Sequence, residues 1–309
     1  MKYSLVFPGQ GSQSLGMLSD LADNFSVVEE VFVEASDTLG FDLWALTQSD
    51  QDGLNQTQNT QPAMLAAGYA TYRVLDGEMD LSPECMAGHS LGEYTALVAA
   101  EALDFSAGIK LVRKRAELMQ SAVPIGVGAM AAILGLDDET VVKVCADYAG
   151  EGVVEAVNFN ASGQVVIAGN KNAVDITCEA MKTAGAKRAV LLPVSVPSHC
   201  SLMDDAANEF KNAVNDTKFS IGSIDVLHNV DAAKAKDIED IRSKLVAQLH
   251  HPVLWTGTVK AMSKTGVEKL IESGPGKILT GLTRRIDKSL TANAALDSSS
   301  IATIVGEIG

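Results

Sequence analysis

The stretch that most restricts the fold is Cys85-Met86-Ala87-Gly88-His89-Ser90-Leu91-Gly92-Glu93-Tyr94. Its centre, Gly88-His89-Ser90-Leu91-Gly92, fits G-x-S-x-G. Glycines two before and two after a serine let a strand turn sharply into a helix, which leaves the hydroxyl clear of the sheet. The flanks agree. A short apolar run (85–87) enters the turn, and residues 93–100 leave it with helical composition. The same pattern also occurs as an ordinary glycine-rich turn, so the serine is a candidate nucleophile whose base has to be found elsewhere in the chain.

At 309 residues, 47% apolar and 20% charged with few aromatics, the chain reads as an Ala/Val/Leu-rich α/β protein of one large domain or two unequal ones. No apolar run approaches the roughly 18 residues that span a bilayer. Residues 1–8 look like a first strand rather than a signal peptide. Four cysteines (Cys85, Cys145, Cys178, Cys200) form no Cys-x-x-Cys pair and no metal spacing with histidine. A reducing cytoplasm, inert thiols and no bound metal are expected. A net charge of −15 opposes general binding to nucleic acid or anionic membrane. An anionic substrate therefore has to be met by local cations.

Along the chain, Tyr3-Ser4-Leu5-Val6-Phe7 reads as a buried strand running into Pro8-Gly9-Gln10-Gly11-Ser12-Gln13. Ser14 stands where the third glycine of a dinucleotide fingerprint belongs. A turn whose backbone N–H groups meet a developing negative charge is the better functional reading, with a purely structural turn as the alternative. Residues 20–46 look helical and 50–60 loop-like; Pro62 opens a helix to about Gly77. Ser106 is placed to cap a helix with the apolar stripe Ile109, Val112, Ala116, Met119, Val123. Arg115 lies on the flank of that stripe, where an arginine either snorkels to solvent or points into a cleft. Residues 127–194 form a distinct unit with strands at 129–134, 153–157, 164–168 and 188–192 and helices at 137–149 and 172–184. That βαββαβ order is ferredoxin-like, inserted between 1–126 and 195–309 of a larger domain. Beyond it come a helix to about 214, a strand at 226–230, a helix at 237–250, a strand at 267–271 and a helix bearing Arg284 and Arg285. The last dozen residues are weakly patterned and receive no role.

A serine nucleophile needs a base within hydrogen-bond reach. Of five histidines, His89 should point away from its neighbour Ser90, His250 and His251 end a helix, and His228 sits in an apolar run as a packed residue. His199 follows the Pro-flanked domain junction, where a crevice opens, and is preferred. No acid stands out as its partner; an unrecognised Asp or Glu, or a backbone carbonyl, must orient it.

Six motifs together resemble one family: Phe7-Pro8-Gly9-Gln10-Gly11-Ser12-Gln13, Gly88-His89-Ser90-Leu91-Gly92-Glu93-Tyr94, Val157-Asn158-Phe159-Asn160, Gln164-Val165-Val166-Ile167-Ala168-Gly169, Pro197-Ser198-His199 and Gly274-Pro275-Gly276-Lys277. The chain resembles bacterial malonyl-CoA:acyl carrier protein transacylases of type II fatty-acid synthesis, from its first strand to about residue 290. The resemblance implies a hydrolase-like α/β domain with a parallel central sheet and a ferredoxin-like insertion. It implies Ser90 as the carrier of the malonyl group, His199 as general base and acid, and the Gln10 and Leu91 N–H groups as the oxyanion hole. It further implies Arg115 as the partner of the malonyl carboxylate, the main-chain carbonyl of Gln248 as the support of the imidazole, and Asn160 near the cleft. The expected activity is ping-pong transfer from malonyl-CoA to the phosphopantetheine thiol of acyl carrier protein. No cofactor, a monomer, and neither nucleic acid nor membrane as a partner are expected. Coenzyme A and carrier protein are anionic, so Lys187, Arg188, Lys277, Arg284, Arg285 and Lys288 are the docking candidates. Two departures are His228 in place of an asparagine in the stretch His228-Asn229-Val230-Asp231, and His250 in place of a tyrosine after Gln248. A serine hydrolase or thioesterase would share Ser90 and His199 but deliver the acyl group to water; a non-catalytic carrier-binding protein would not need Ser90.

Overall fold

The apolar N-terminal run folds as β1 (Tyr3–Phe7), buried along its whole length. It becomes the middle of a parallel sheet with β2 (Met86–Gly88), β7 (Val226–Leu227), β8 (Lys269–Ser273) and β9 (Thr291–Ala295), in the order β7-β2-β1-β8-β9. Successive side chains of a strand face opposite sides. Leu5 and Phe7 accordingly join the core formed with Leu65, Leu97, Ile109 and Val112, while Val6 joins Ala87, Trp255, Val259 and Leu270 on the other side. Both faces being covered explains why the strand reads as a continuous apolar run. Its Ser4 Oγ is 3.3 Å from Cys85 Sγ.

The structure, a computed structural model, describes residues 1–194 and 196–308. The large-domain boundary expected at Ser195, and the terminal Gly309, lie outside the described residues. The inserted unit consists of β3 (Gly128–Leu134), β4 (Val154–Ala161), β5 (Gln164–Asn170) and β6 (Arg188–Leu191) with helices Asp138–Ala146 and Lys171–Thr183. Its sheet is antiparallel in the order β4-β5-β3-β6, the topology that a βαββαβ order produces. Ala131, Ile133, Val165 and Ile167 pack under its helices. Met130, Val166 and Ala168 face the other way, with Cys200 of the large domain among them. The edge strand β4 is stitched to the large domain by Phe159 N–H donating to Val253 O (3.0 Å) and Val253 N–H donating to Val157 O (2.8 Å). The second face of the small sheet thus becomes a wall over the strand ends of the large one.

Several expectations need correction. The segment 50–60 is partly helical (Gln51–Leu54), and the next helix runs Thr57–Glu78 with Pro62 inside it rather than opening it. Proline has no N–H for the carbonyl four residues back; that carbonyl, of Gln58, accepts from Arg113 Nη1 at 3.1 Å instead. The helix Phe105–Ala122 is capped by Asp104, whose carboxylate accepts from Ala107 N–H at 2.9 Å, while Ser106 Oγ turns to Glu34. The strand expected over 226–230 stops at Leu227, and the tail expected to be idle carries the helix Ser298–Ile308 beside β9.

Candidate active site

Ser90 sits between β2 and the helix Gly92–Ala99 with φ of 51°, a left-handed conformation that is strained for a non-glycine residue. The turn closes because its flanking glycines have no Cβ: one on Gly88 would lie 1.8 Å from Gly92 C, and one on Gly92 2.1 Å from Phe7 O. Asn229 clamps the elbow from outside. Its Oδ1 accepts the Ser90 N–H at 2.7 Å and its Nδ2 donates to Gly88 O at 2.7 Å.

His199 reaches this serine from just past the junction, also in a left-handed conformation (φ 69°), with its N–H on Leu249 O. Its Nε2 is 2.8 Å from Ser90 Oγ, and its Nδ1 is 2.6 Å from the main-chain oxygen of Gln248. A carbonyl only accepts, so Nδ1 carries the proton and Nε2 is left as the acceptor for the serine hydroxyl. Burial, then the charge of Arg115, hold the imidazole near a pKa of about 3, against a raising effect of the Gln248 carbonyl. A neutral base next to a serine hydroxyl can take its proton on attack and return it to a leaving group.

Of the two orientations open to Arg115, the structure takes the cleft. The residue is 1% exposed and lines the catalytic cavity. Nη1 donates to Gln61 Oε1 (2.8 Å), and Nη2 donates to Gln248 Oε1 (2.9 Å) and to Ser90 Oγ (3.2 Å). The face of the Tyr94 ring lies 5.4 Å from its Cζ. These are neutral partners; among the described residues Arg115 makes no ion pair. Arg113, two residues earlier, is the one that turns outward, to Glu117.

The cavity around Ser90 is about 120 Å³ and is lined by Gln10, Leu91, Arg115, Met119, Asn158 and His199 among others. Gln10 and Leu91 flank it from the β1 turn and from the residue after the serine, and among the described residues neither backbone N–H is given to an acceptor. A second, larger cavity of about 520 Å³ shares Gln10, His89 and Asn158 with the first and opens between the β1 turn, the small sheet and Ile278, Leu279 and Leu282. Asn160 is on its wall, where its Oδ1 accepts from His89 Nε2 at 2.8 Å. His89 was expected to point away from Ser90. It bonds to Asn160 rather than to the serine, yet its ring lines the same cavity, because Ser90 is not extended and the alternation fails there. His250 lies outside both cavities, 2.6 Å from Asp204 Oδ1. His228 is buried as a packed residue, with Nδ1 2.7 Å from Glu93 Oε1.

The helix Ile278–Ile286 at the mouth is anchored by the buried Glu272, which accepts from the N–H groups of Leu279 (3.1 Å) and Thr280 (2.7 Å) at its positive end. Lys277, Arg284, Arg285 and Lys288 are exposed around this helix, and Lys187 and Arg188 are exposed on the small unit. Arg285 Nη1 bridges to Gln164 Oε1 of the small sheet at 2.6 Å. Sequence reasoning missed Gln61, Glu93 and Asn229. The visible signals were a lone acid inside the apolar helical run after the elbow and the asparagine of the stretch 228–231.

Residues 4–307 match the family profile described as "Acyl transferase domain". The malonyl CoA-acyl carrier protein transacylase of Escherichia coli (strain K12) is 52% identical over 302 residues, covering 97% of this chain and 98% of that one. Among solved structures, an acyl carrier protein S-malonyltransferase from Vibrio cholerae superposes with a TM-score of 0.96 at 53% identity, covering 98% of this chain and all of that one. A malonyl-transacylase in complex with a type II PKS acyl-carrier protein superposes with a TM-score of 0.98 at 50% identity, over 99% of this chain and all of that one. With a serine at a strained elbow, a neutral histidine on its hydroxyl and full-length similarity to these enzymes, the chain belongs to the malonyl CoA-acyl carrier protein transacylase family of acyl transferases.

Proposed function

We propose that this chain moves the malonyl group from malonyl-CoA to the phosphopantetheine thiol of acyl carrier protein through a malonyl ester on Ser90. The observation that carries the reading is Arg115, a buried guanidinium with neutral partners only, 3.2 Å from the nucleophile. A cation kept in such a place is ready for an anionic group on the acyl chain. His199 takes the serine proton as Oγ attacks the thioester, and coenzyme A leaves with that proton on its sulfur. The N–H groups of Gln10 and Leu91 meet the oxyanion, where each such donor is worth about 3–4 kcal/mol of barrier. In the second half His199 takes the proton of the phosphopantetheine thiol. The sulfur attacks the ester, and the serine recovers its proton. The chemistry asks for no cofactor.

The 520 Å³ cavity, which shares Gln10, His89 and Asn158 with the one at Ser90, is proposed as the path of the phosphopantetheine arm, with Asn160 and His89 on its wall. Lys187, Arg188, Lys277, Arg284, Arg285 and Lys288 are proposed to dock the acidic carrier; among the described residues none of them is in an ion pair. A monomer in the cytoplasm is proposed as the working form. No helix of the described residues is long and apolar enough to cross a membrane.

The test is mass spectrometry of the intact protein after malonyl-CoA. One malonyl adduct is expected, mapped to Ser90, absent from Ser90→Ala and discharged by carrier protein bearing phosphopantetheine. An adduct elsewhere, or steady release of malonate to water without a carrier, overturns the reading.

A further inference from the structure

Glu93, in the first turn of the helix Gly92–Ala99, is fully buried and lines no part of the catalytic cavity, yet three groups converge on its carboxylate. His228 Nδ1 lies 2.7 Å from Oε1. The Asn229 N–H and Gln248 Nε2 donate to Oε2 at 2.9 and 2.8 Å. Among the described residues no lysine or arginine pairs with it, so its charge is answered by these donors.

The donor that matters is Gln248. Its amide has an oxygen end and a nitrogen end, and a carboxylate accepts only. Glu93 therefore draws Nε2, which also donates to Ser90 O at 2.9 Å, and turns Oε1 to the opposite side, where it accepts from Arg115 Nη2 at 2.9 Å. Reversed, the amide would set an NH2 group against a guanidinium, donor against donor. The same residue holds His199 Nδ1 through its main-chain oxygen, and Asn229, the second group fixed by Glu93, holds the Ser90 N–H. The specificity cation, the base and the elbow are thus all tied to one acid that touches none of the reacting atoms.

We propose that Glu93 is a positioning residue for acyl selection: by fixing the orientation of the Gln248 amide, it holds the Arg115 guanidinium at Ser90 with its charge free for the substrate carboxylate. His228 is the third arm of this support, and a ring nitrogen there meets Oε1 from the side that neither Asn229 nor Gln248 reaches. The proposal rests on the malonyl-transfer reading above, and its test is built to separate the two.

Single-turnover acylation of Ser90 is measured from malonyl-CoA and from acetyl-CoA in the full chain, by intact mass, for wild type, Glu93→Gln, Gln248→Met and the double variant. A glutamine at 93 no longer demands a donor. Losing an orienting hydrogen bond to a charged group predicts a fall of about tenfold or more in the malonyl-to-acetyl rate ratio. Gln248→Met, which keeps its main-chain oxygen on His199, is expected to give a similar fall, and the double variant to add little, because both changes break one relay. Equal losses on the two substrates, an unchanged ratio, or additive effects overturn the proposal, since a merely structural role lowers both rates together. Should Glu93→Gln not fold, Glu93→Asp, which retracts the carboxylate by one methylene, is read in the same way, and an unchanged ratio in Gln248→Met overturns the relay without either. Absence of any malonyl adduct in the wild type would instead refute the reading of the reaction itself.

Discussion

Replacing Arg115 by alanine tests the link between the buried cation and substrate choice most directly. The guanidinium is 1% exposed, so its desolvation is already complete in the free enzyme, and amide oxygens of Gln61 and Gln248 are the partners that offset it. On the proposed reading, a malonyl carboxylate entering the cavity pairs with this guanidinium through charge-assisted hydrogen bonds. Removing one member of such a buried pair costs about 2–5 kcal/mol. At about 1.4 kcal/mol per tenfold, kcat/KM for malonyl-CoA should drop by about 30-fold to a few thousand-fold. Acetyl-CoA gains nothing from the guanidinium and leaves it unpaired. Its rate should therefore hold or rise, apart from what the 3.2 Å contact to Ser90 Oγ contributes to both substrates. Measuring acyl transfer to carrier protein from each donor cancels that shared effect in the ratio. Arg115→Lys, which keeps the charge but loses the fork, should fall between the two. A malonyl-to-acetyl ratio unchanged in Arg115→Ala refutes the reasoning.

Three further outcomes follow from the electrostatics. His199 is held neutral to a pKa of about 3, by burial first and Arg115 second, so the acid limb of kcat/KM for acylation should lie well below the ordinary histidine value near 6.5, and Arg115→Ala should shift any limb attributable to His199 upward. The sign for stability follows. The fold favours the neutral ring, so its contribution is fully present above about 6.5 and is lost as pH falls from there towards 3; melting temperatures across that window check it, and a limb at or above 6.5 would contradict the geometry. Charge reversal at Arg284 or Arg285 should raise the KM for carrier protein several-fold at low salt, with the effect fading as salt rises. Carrier kinetics untouched at low salt sink that docking assignment.

The parts legible in the sequence were those governed by local rules. Glycines at 88 and 92 announce a close approach that only a missing Cβ permits, and the βαββαβ order of elements is found, with ends shifted by up to four residues, because each element has its own period. His199 was found because a domain junction makes a crevice. Contacts assembled across the fold were not legible. Whether Arg115 snorkels or points inward turns on Gln61, 54 positions away, and Gln248, 133 positions away; the stripe of one helix cannot decide that. The cap is Asp104 and not Ser106, two residues later; both residue types cap, and Glu34 and Thr38, far off in sequence, engage the serine. Glu93 carries no local signal of its role beyond being a lone acid in an apolar run; its burial depends on His228, Asn229 and Gln248 arriving from later in the chain.

The missing acid of the triad follows from the choice of substrate. A carboxylate on His199 Nδ1 would add a negative charge to a site whose buried Arg115 is proposed to meet the carboxylate of the substrate. A main-chain oxygen orients the imidazole and fixes its tautomer without adding charge. The acid that the site does contain, Glu93, is separated from Arg115 by the Gln248 amide, which passes on its orienting effect while keeping the two from forming an ion pair. The arrangement gives up the stabilisation that an aspartate lends the imidazolium, consistent with the low pKa of His199, and keeps in the cavity a cation with neutral partners only. On the proposed reading, a malonyl carboxylate paired with Arg115 would offset the second cause that holds His199 below its ordinary range, an effect that acetyl-CoA, with no carboxylate, would not provide.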